Sequence, residues 1–579
     1  MRPFNALRFA PDKKQLIADG VFAVAMLLTA IFVFWKCRYG FGNVDESFYL
    51  TVPYRLYKGD ALFLEEWHLS QMAGVLTYPA VWLYLTIHGS TEGIILAMRY
   101  FCTFLQCAIA VFLYIRLRRI SWAGAAVAAL SFALYTPFGI MALSYNSMGI
   151  MALVVAFVIA YTARRHTQVQ YVAAGLCFAA AVLCCPYLVA VYLLYLLAVV
   201  IRALVMRGRK IQRDVWSVWG ALWVTAGAAL AAVAFFAFVF SRASLADIWK
   251  AFPQILNDPE HPAIPFANHF KWFFSRIYTA NDAAPKIYNL LMLLAAVCIL
   301  DWGRAKRRLW YFTVAAVLTL VLQWQHYQRN DYINHLMWSV NVLAVFALIL
   351  TRDRQVRGLF FTMWIPGILY AFCLNMTSNQ GFYAISSASA AATVGSIVMI
   401  ALFAKELLQD RPRYLAWWRY GAGALAGALL VVQLGTQCVL RYRSVFWETG
   451  MQTQTVQEEQ GIQKGLIISE AWHSSYTWSL KNLRQIEEYE PEKVLFLSKA
   501  TWYYLATDYE ICTYSAWIAG VTEHSVNRLE SYYQLNPEKL PDLVYADSQY
   551  RDAAVYFCQK MGYEMKAVSG GYILTPAQS

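Results

Sequence analysis

The chain has 579 residues, of which 59% are hydrophobic and only 14% are charged. Because soluble domains carry about 25% charged residues, this composition excludes a soluble globular protein. The net charge of +13 does not indicate a nucleic-acid partner, since the basic residues lie in short clusters between long apolar segments, as the positive-inside rule expects of a membrane protein.

Thirteen apolar segments predict a polytopic α-helical membrane protein with about 13 transmembrane helices. They lie at about 17–36, 91–115, 121–140, 147–163, 170–186, 187–206, 216–241, 287–303, 309–325, 333–351, 358–376, 383–404 and 417–438. An odd number of spans places the termini on opposite faces of the cell (cytoplasmic) membrane, with the N-terminus cytoplasmic. Residues 75–88, interrupted by Pro79, are short for a span and predict a helix on the membrane surface.

This topology brings three polar stretches to the outer face, namely residues 41–72, 241–286 and 326–335. From residue 441 the pattern changes to short strands alternating with helices, which predicts an α/β domain outside the membrane. The chain is therefore divided into a transmembrane domain, 1–440, and an extracytoplasmic domain, 441–579. In the second domain we expect strands near 465–470, 493–498, 509–514, 542–547 and 570–576, and helices near 527–535 and 551–561. Cys512 and Cys558 could pair in an oxidising compartment.

The polar loop at 41–72 carries the adjacent carboxylates Asp45 and Glu46. Neighbouring positions on a helix point in different directions, so one carboxylate can face a reaction centre while the other structures the loop. A carboxylate held close to an acceptor hydroxyl or amine can act as a general base. The alternative is that Asp45 caps the helix that begins here.

Three cations of the same region suit a phosphate ligand. Arg55 and Lys58 are three residues apart, so they share one face of a helix, and they could instead reach towards anionic lipid. Arg99 lies near the outer end of the second span, where a charge needs a partner or a ligand.

A mixed set of possible metal ligands, Glu65, Glu66 and His68, closes the same loop. They could hold a divalent metal, but three mixed ligands without a second cluster are a weak signal, and a solvated loop is the favoured interpretation. No cofactor is certain from the sequence, and metal dependence stays open.

Other candidate contacts lie further along the chain. His326 and Arg329, in the outer stretch 326–335, could bind phosphate or belong to an ordinary polar loop. Tyr145 and Asn146 stand in the turn between two spans and could line the same cavity, or Asn146 could be a turn residue only.

The start of the chain resembles glycosyltransferase-C (GT-C) enzymes. The resemblance rests on DESFY (45–49), the pair Gly59–Asp60, TYP (77–79) and HGSTEGIILAMRY (88–100), and it is closest to the branch of lipid A aminoarabinose transferase and protein O-mannosyltransferase. Where many relatives carry Lys-Pro-Pro, this chain has Thr-Tyr-Pro.

This resemblance implies an enzyme that moves a sugar from a polyprenyl-phosphate donor to an extracytoplasmic acceptor, in contact with membrane lipid and with inversion at the anomeric carbon. It implies Asp45 as the base with Glu46 beside it, Tyr49 near the substrate, and Arg99 as the arginine of the second span. In place of the missing lysine, Arg55 or Lys58 would meet the donor phosphate. Two other functions stay open, a transporter of lipid-linked glycans and a non-catalytic scaffold that binds a surface polymer.

Overall fold

The computed structural model describes ten stretches of the chain. They are residues 13–163, 167–207, 214–257, 264–301, 307–328, 333–378, 380–409, 416–445, 450–518 and 520–577. The first helices are α1 (Lys13–Lys36), α2 (Asn43–Lys58), α3 (Gly74–His88), α4 (Ile94–Leu117), α5 (Trp122–Leu134), α6 (Tyr145–Thr162), α7 (Thr167–Cys184), α8 (Leu188–Val205), α9 (Val218–Phe240), α10 (Leu245–Leu256) and α11 (Phe266–Tyr278).

The second half of the helical region contains α12 (Ala284–Leu300), α13 (Arg308–Gln328), α14 (Ile333–Leu350), α15 (Arg354–Leu359), α16 (Ile365–Thr377), α17 (Phe382–Ala388), α18 (Ala390–Gln409) and α19 (Ala416–Arg443). A π-helical segment, Phe360–Trp364, joins α15 to α16.

Each of the thirteen predicted membrane segments overlaps a helix of the described stretches. In the described stretches, nine helices are long and apolar enough to cross a membrane. They are Lys13–Lys36, Ile94–Leu117, Tyr145–Thr162, Thr167–Cys184, Leu188–Val205, Val218–Phe240, Arg354–Thr377, Ala390–Gln409 and Tyr420–Arg443. The remaining segments form α5, α12, α13 and α14, which contain 13, 17, 21 and 18 residues. The predicted class, a polytopic helical membrane protein, is confirmed.

The predicted surface helix is present, but Pro79 does not interrupt it. Proline removes a single backbone hydrogen bond here, and α3 continues on both sides of it. Trp82, Leu83 and Ile87 on this helix are 46%, 53% and 69% exposed. An exposed apolar surface of this kind suits contact with lipid.

The C-terminal region is an α/β unit with strands β1 (Gln454–Gln457), β2 (Ile467–Ser469), β3 (Lys493–Leu497), β4 (Glu510–Ile511), β5 (Leu543–Asp547), β6 (Tyr563–Val568) and β7 (Gly571–Pro576). Its helices are α20 (Glu470–Leu483), α21 (Tyr503–Ala506), α22 (Glu523–Leu535) and α23 (Arg551–Met561). β1 and β2 form an antiparallel pair, and the other strands form one sheet in the order β4-β3-β5-β7-β6. β3 runs parallel to both of its neighbours.

The sequence predicted five of these strands and both longer helices after β4, and it missed β1 and β6. The possible disulfide between Cys512 and Cys558 does not form, and both thiols are free. Cys512 follows the edge strand β4, whereas Cys558 lies on α23, which packs against β6 at the opposite edge.

Main-chain hydrogen bonds tie this unit to the first polar loop. The amide of Ile467 in β2 donates to the carbonyl of Arg38 at 2.6 Å, and the amide of Gly40 donates back to the carbonyl of Ile467 at 2.8 Å. Further along, the amide of Trp67 donates to the carbonyl of Tyr514 at 2.7 Å. The loop after α1 is thus held between the membrane helices and the C-terminal unit.

Candidate functional site

The adjacent carboxylates of α2 have different environments. Glu46 is 1% exposed, and it accepts hydrogen bonds from Arg99 Nε at 2.5 Å and from Arg99 Nη2 at 2.6 Å. It also accepts the amide hydrogen of Gly42, the N-cap residue of α2, at 2.8 Å. Since Arg99 belongs to α4, this pair joins the start of α2 to a membrane helix, and the predicted need of Arg99 for a partner is met by Glu46.

Asp45 is half-buried and has no hydrogen-bond or ion-pair partner among the described residues. It does not cap α2, because the N-cap position is Gly42. Desolvation by burial raises the pKa of Asp45 from 3.8 to about 6. A carboxylate with this pKa is ionised at neutral pH and is a stronger base than an exposed aspartate.

Two tyrosines near this carboxylate, Tyr49 and Tyr145, lie together with an asparagine. The rings of Tyr49 and Tyr145 meet edge to face, with their centroids 5.5 Å apart. Burial raises the pKa of Tyr49, and the nearby Tyr145 and Asp45 raise it further. Asn146 is 3% exposed, and its Oδ1 atom accepts no hydrogen bond within the described stretches. The structure therefore brings together four of the residues that the sequence singled out.

Arg55 lies instead in a buried network of charges. Its guanidinium is 1% exposed, and it donates to Asp60 Oδ2 at 2.6 Å and to Glu66 Oε2 at 2.9 Å. Burial opposes the charge of Arg55, but the two carboxylates outweigh this effect and raise its pKa well above the ordinary value. Lys539 of the C-terminal unit completes the network with contacts to Asp60 at 2.7 Å and to Glu65 at 3.0 Å. These charges join the first loop to the C-terminal unit.

The three predicted metal ligands are directed to other partners. Glu65 accepts the amide hydrogen of Ala61 at 2.5 Å besides its contact with Lys539, and Glu66 faces Arg55. The His68 ring accepts the Ser70 amide hydrogen at 3.1 Å through Nδ1. Within the ten described stretches, no group of three His, Cys, Asp or Glu side chains is arranged to hold a metal ion.

The remaining described candidates, Lys58 and His326, contact residues other than Asp45. Lys58 forms an ion pair with Asp508 of the C-terminal unit, at an exposed position. His326 is fully buried, with Nδ1 at 3.3 Å from Asn281 Nδ2 and its ring stacked on Phe382. Arg329 lies outside the described residues.

Sequence reasoning missed two cations beside Glu46 and Arg99. Lys36 and Arg441, at the ends of α1 and α19, are each 5% exposed. Together with Arg99 and Glu46 they line a cavity of about 30 Å³. A signal was present in the sequence, because both cations fall at the predicted outer ends of their spans, where the positive-inside rule expects few basic residues. The fold and this site together define a multi-pass membrane protein with a charged centre at the junction of its helices and its C-terminal unit.

No protein-family model and no curated protein matches this chain. Among solved structures, the chain is similar to ArnT from Cupriavidus metallidurans bound to undecaprenyl phosphate, with 12% identity, a TM-score of 0.46, and coverage of 98% of this chain and 99% of that chain. It is also similar to the archaeal oligosaccharyltransferase AglB from Archaeoglobus fulgidus in complex with an inhibitory peptide and a dolichol-phosphate, with 14% identity, a TM-score of 0.42, and coverage of 98% and 75%. An oligosaccharyltransferase of Archaeoglobus fulgidus in the apo form gives 12% identity, a TM-score of 0.40, and coverage of 96% and 74%.

With identities below 15% and TM-scores below 0.5, the likeness assigns no activity to this chain.

Proposed function

We propose that this chain is an integral-membrane glycosyltransferase of the GT-C kind, which moves a sugar from a polyprenyl-phosphate donor to an acceptor outside the cytoplasmic membrane. The proposal depends above all on one observation. Of the five acids in the loop at 41–72, four are paired with cations, and Asp45 alone has no partner within the described residues. An ionised, half-buried carboxylate without a structural partner is suited to receive a proton from a substrate.

In the proposed reaction, Asp45 accepts the proton of an acceptor hydroxyl or amine as that group attacks the anomeric carbon of the donor sugar. The bond between this carbon and the phosphate oxygen breaks, and the electron pair leaves with the polyprenyl phosphate. A single displacement inverts the anomeric configuration. Because the acceptor is a hydrogen-bond donor, the free Oδ1 of Asn146 and the hydroxyls of Tyr49 and Tyr145 are placed to orient it.

The pKa of Asp45 also gives the expected pH dependence. The reaction needs the ionised carboxylate, so turnover rises with pH through about 6 and levels off above 7. Asp45→Glu keeps a carboxylate but displaces it, so we expect a lower turnover that retains an acidic limb in its pH profile.

The direct test is the release of polyprenyl phosphate by the purified protein in nanodiscs supplied with a series of polyprenyl-phosphate sugars. We expect release with at least one donor, and a loss of at least 100-fold in Asp45→Asn, since general bases contribute about 10²- to 10⁴-fold. The matched control is Asp552→Asn, the same chemical change at an exposed position of α23, which should keep full turnover.

Full activity in Asp45→Asn would remove Asp45 from the mechanism. Release with no donor, together with movement of a lipid-linked sugar across proteoliposome membranes, would instead establish the transporter function. Inversion is checked separately, by assigning the anomeric configuration of the product by NMR.

A further inference from the structure

The cavity between α1, α4 and α19 is lined by an unusual balance of charge. Three cations, Lys36, Arg99 and Arg441, share its wall with one carboxylate, Glu46. The wall therefore carries a formal net charge of +2, although all four side chains are at least nine-tenths buried. Buried charges are normally paired, because an unpaired charge loses its hydration and gains no ion pair or hydrogen bond that offsets the loss.

Arg441 is the least compensated of these side chains. Its Nη1 atom donates to the hydroxyl of Thr136, whereas Nε and Nη2 are buried without any hydrogen-bond partner in the described stretches. No carboxylate of those stretches forms an ion pair with it. A guanidinium has five N–H donors in a planar fork that matches the oxygens of a phosphate or carboxylate. The Nε and Nη2 atoms of Arg441 can therefore donate hydrogen bonds to a bound anion.

Lys36 adds a second cation that lacks a carboxylate partner in the described part of the chain. Its ammonium donates to the carbonyl of Tyr442 at 3.1 Å and contacts the sulfur of Met451 at 2.6 Å, and both of these groups are neutral. The charges of Arg441 and Arg99 act on it at close range. Three mutually repelling cations stay together at lower free energy when an anion lies between them.

The position of the cavity limits the source of that anion. Trp35 and Tyr442, beside Lys36 and Arg441 in sequence, stack with their ring centroids 6.1 Å apart, and they are 38% and 51% exposed. Tryptophan and tyrosine concentrate where a membrane meets water, which is also the level of lipid phosphates. The cavity volume of about 30 Å³ exceeds the 10–15 Å³ that one water molecule needs, so it admits a compact group.

We propose that Lys36, Arg99 and Arg441 form a binding site for a phosphate group at the outer ends of α1, α4 and α19. A phosphate monoester carries a charge of about −1.5 to −2 at neutral pH, which balances the charge of the wall. The group can arrive as the headgroup of a lipid or as free phosphate. The inference does not require the proposed transfer reaction, because binding is measured without turnover.

The test compares the full-length protein with Arg441→Gln, Arg441→Lys and a matched control, Arg443→Gln, which removes an exposed arginine of the same helix end. Binding of inorganic phosphate in detergent is followed by thermal shift against chloride at equal ionic strength. Binding of lipid is followed by native mass spectrometry of nanodiscs that contain polyprenyl phosphate or phosphatidic acid in phosphatidylcholine. A charge-assisted hydrogen bond to phosphate contributes about 10- to 100-fold in affinity. We therefore expect Arg441→Gln to weaken binding by that factor. Arg441→Lys should retain part of the binding affinity, and Arg443→Gln should retain all of it.

A shift with inorganic phosphate identifies a site open to the free ion, and retention of the lipids alone identifies the headgroup as the source. Either result supports the site if Arg441→Gln weakens that binding by about 10- to 100-fold. Equal binding by wild type and Arg441→Gln, or no binding of either source by the wild type, overturns the inference.

The apo-protein separates a binding role from a structural one. If Arg441 serves binding, then Arg441→Gln without phosphate melts at the same temperature as the wild type or above it, since an unpaired buried charge is removed. Suppose instead that Arg441→Gln melts at a lower temperature than the wild type, and that phosphate does not change the melting temperature of the wild type. Arg441 would then have a structural role, and the inference would be overturned. Phosphate binding without turnover by any donor would count against the proposed enzyme only.

Discussion

Asp45→Asn tests the environment of the key carboxylate without any substrate. The change removes the charge and keeps the size of the side chain. In the native protein the pKa of Asp45 is about 6, against 3.8 for an exposed aspartate. At about 1.4 kcal/mol for each pH unit, this difference corresponds to about 2 to 3 kcal/mol by which the ionised carboxylate destabilises the folded state. We therefore expect Asp45→Asn to be more stable than the wild type at neutral pH by roughly that amount.

The sign of the pH dependence follows from the same two values. As pH rises from 4 to 6, the unfolded chain has already lost the proton of Asp45 while the folded chain still holds it, so the wild type loses stability relative to the variant. The difference between them should be small near pH 4, grow up to about pH 6, and stay constant above pH 7. Other acids titrate in this range, but they do so in both proteins and cancel in the difference.

The assay is thermal unfolding of wild type and Asp45→Asn in the same detergent at pH values from 4 to 8, with Asp552→Asn as the exposed control. Asp552→Asn should differ little from wild type across this range. An Asp45→Asn protein that is less stable than wild type at pH 7 would show that the carboxylate has a structural partner. That result would contradict the reasoning from its unpaired state.

Three further substitutions test the contacts that hold the first polar loop and α2. Arg55→Met leaves the buried carboxylate of Glu66 without its cation, while Asp60 keeps Lys539, and should cost about 3–5 kcal/mol in the free energy of unfolding. Lys560→Met in an exposed ion pair should cost less than about 1 kcal/mol, and equal losses would place the Arg55 network in contact with water. Thr501→Val removes the hydroxyl that bonds to Ser47 and to the backbone of α2. The free energy of unfolding should fall by about 1–3 kcal/mol, and turnover should fall with it. Unchanged turnover would show that the C-terminal unit does not position α2. Glu46→Gln should destabilise the protein because Arg99 loses its anionic partner. Adding Arg99→Met to this variant should restore part of the lost stability. Chemical denaturation of the single and double variants measures both effects.

The helices and strands could be predicted because their signals are local. An apolar run long enough to span a bilayer, or a short β-branched run between turn residues, needs no information from the rest of the chain. For this reason all thirteen apolar segments and five of the seven strands were found. The edge strand β6 was missed because its sequence, YEMKAV, contains a single β-branched residue, Val568, and follows the helix α23 after one glycine.

The roles of the charged residues were less accessible. The sequence showed that Arg55 and Glu66 are grouped in one loop, but it did not show that Lys539 supplies a counter-charge to Asp60 from 479 residues away. Without that partner, a buried structural network looks like a free set of phosphate and metal ligands. Adjacent Asp45 and Glu46 were separable in principle, since neighbouring helical positions face different directions, but only the contact with Arg99 decides which of them is paired.

The free state of Asp45 is maintained by the residues on either side of it in α2. Glu46 is fixed to α4 through Arg99, and Ser47 is fixed to the C-terminal unit, where its Oγ lies 2.6 Å from Thr501 Oγ1. One turn further, Tyr49 packs against the first residue of α6. These contacts prevent α2 from rotating to expose Asp45 to water, which would relieve the cost of burying its charge. The fold thus holds an unfavourable carboxylate in place with contacts supplied by other residues, which is expected at a site of function and not at a site that stabilises the fold.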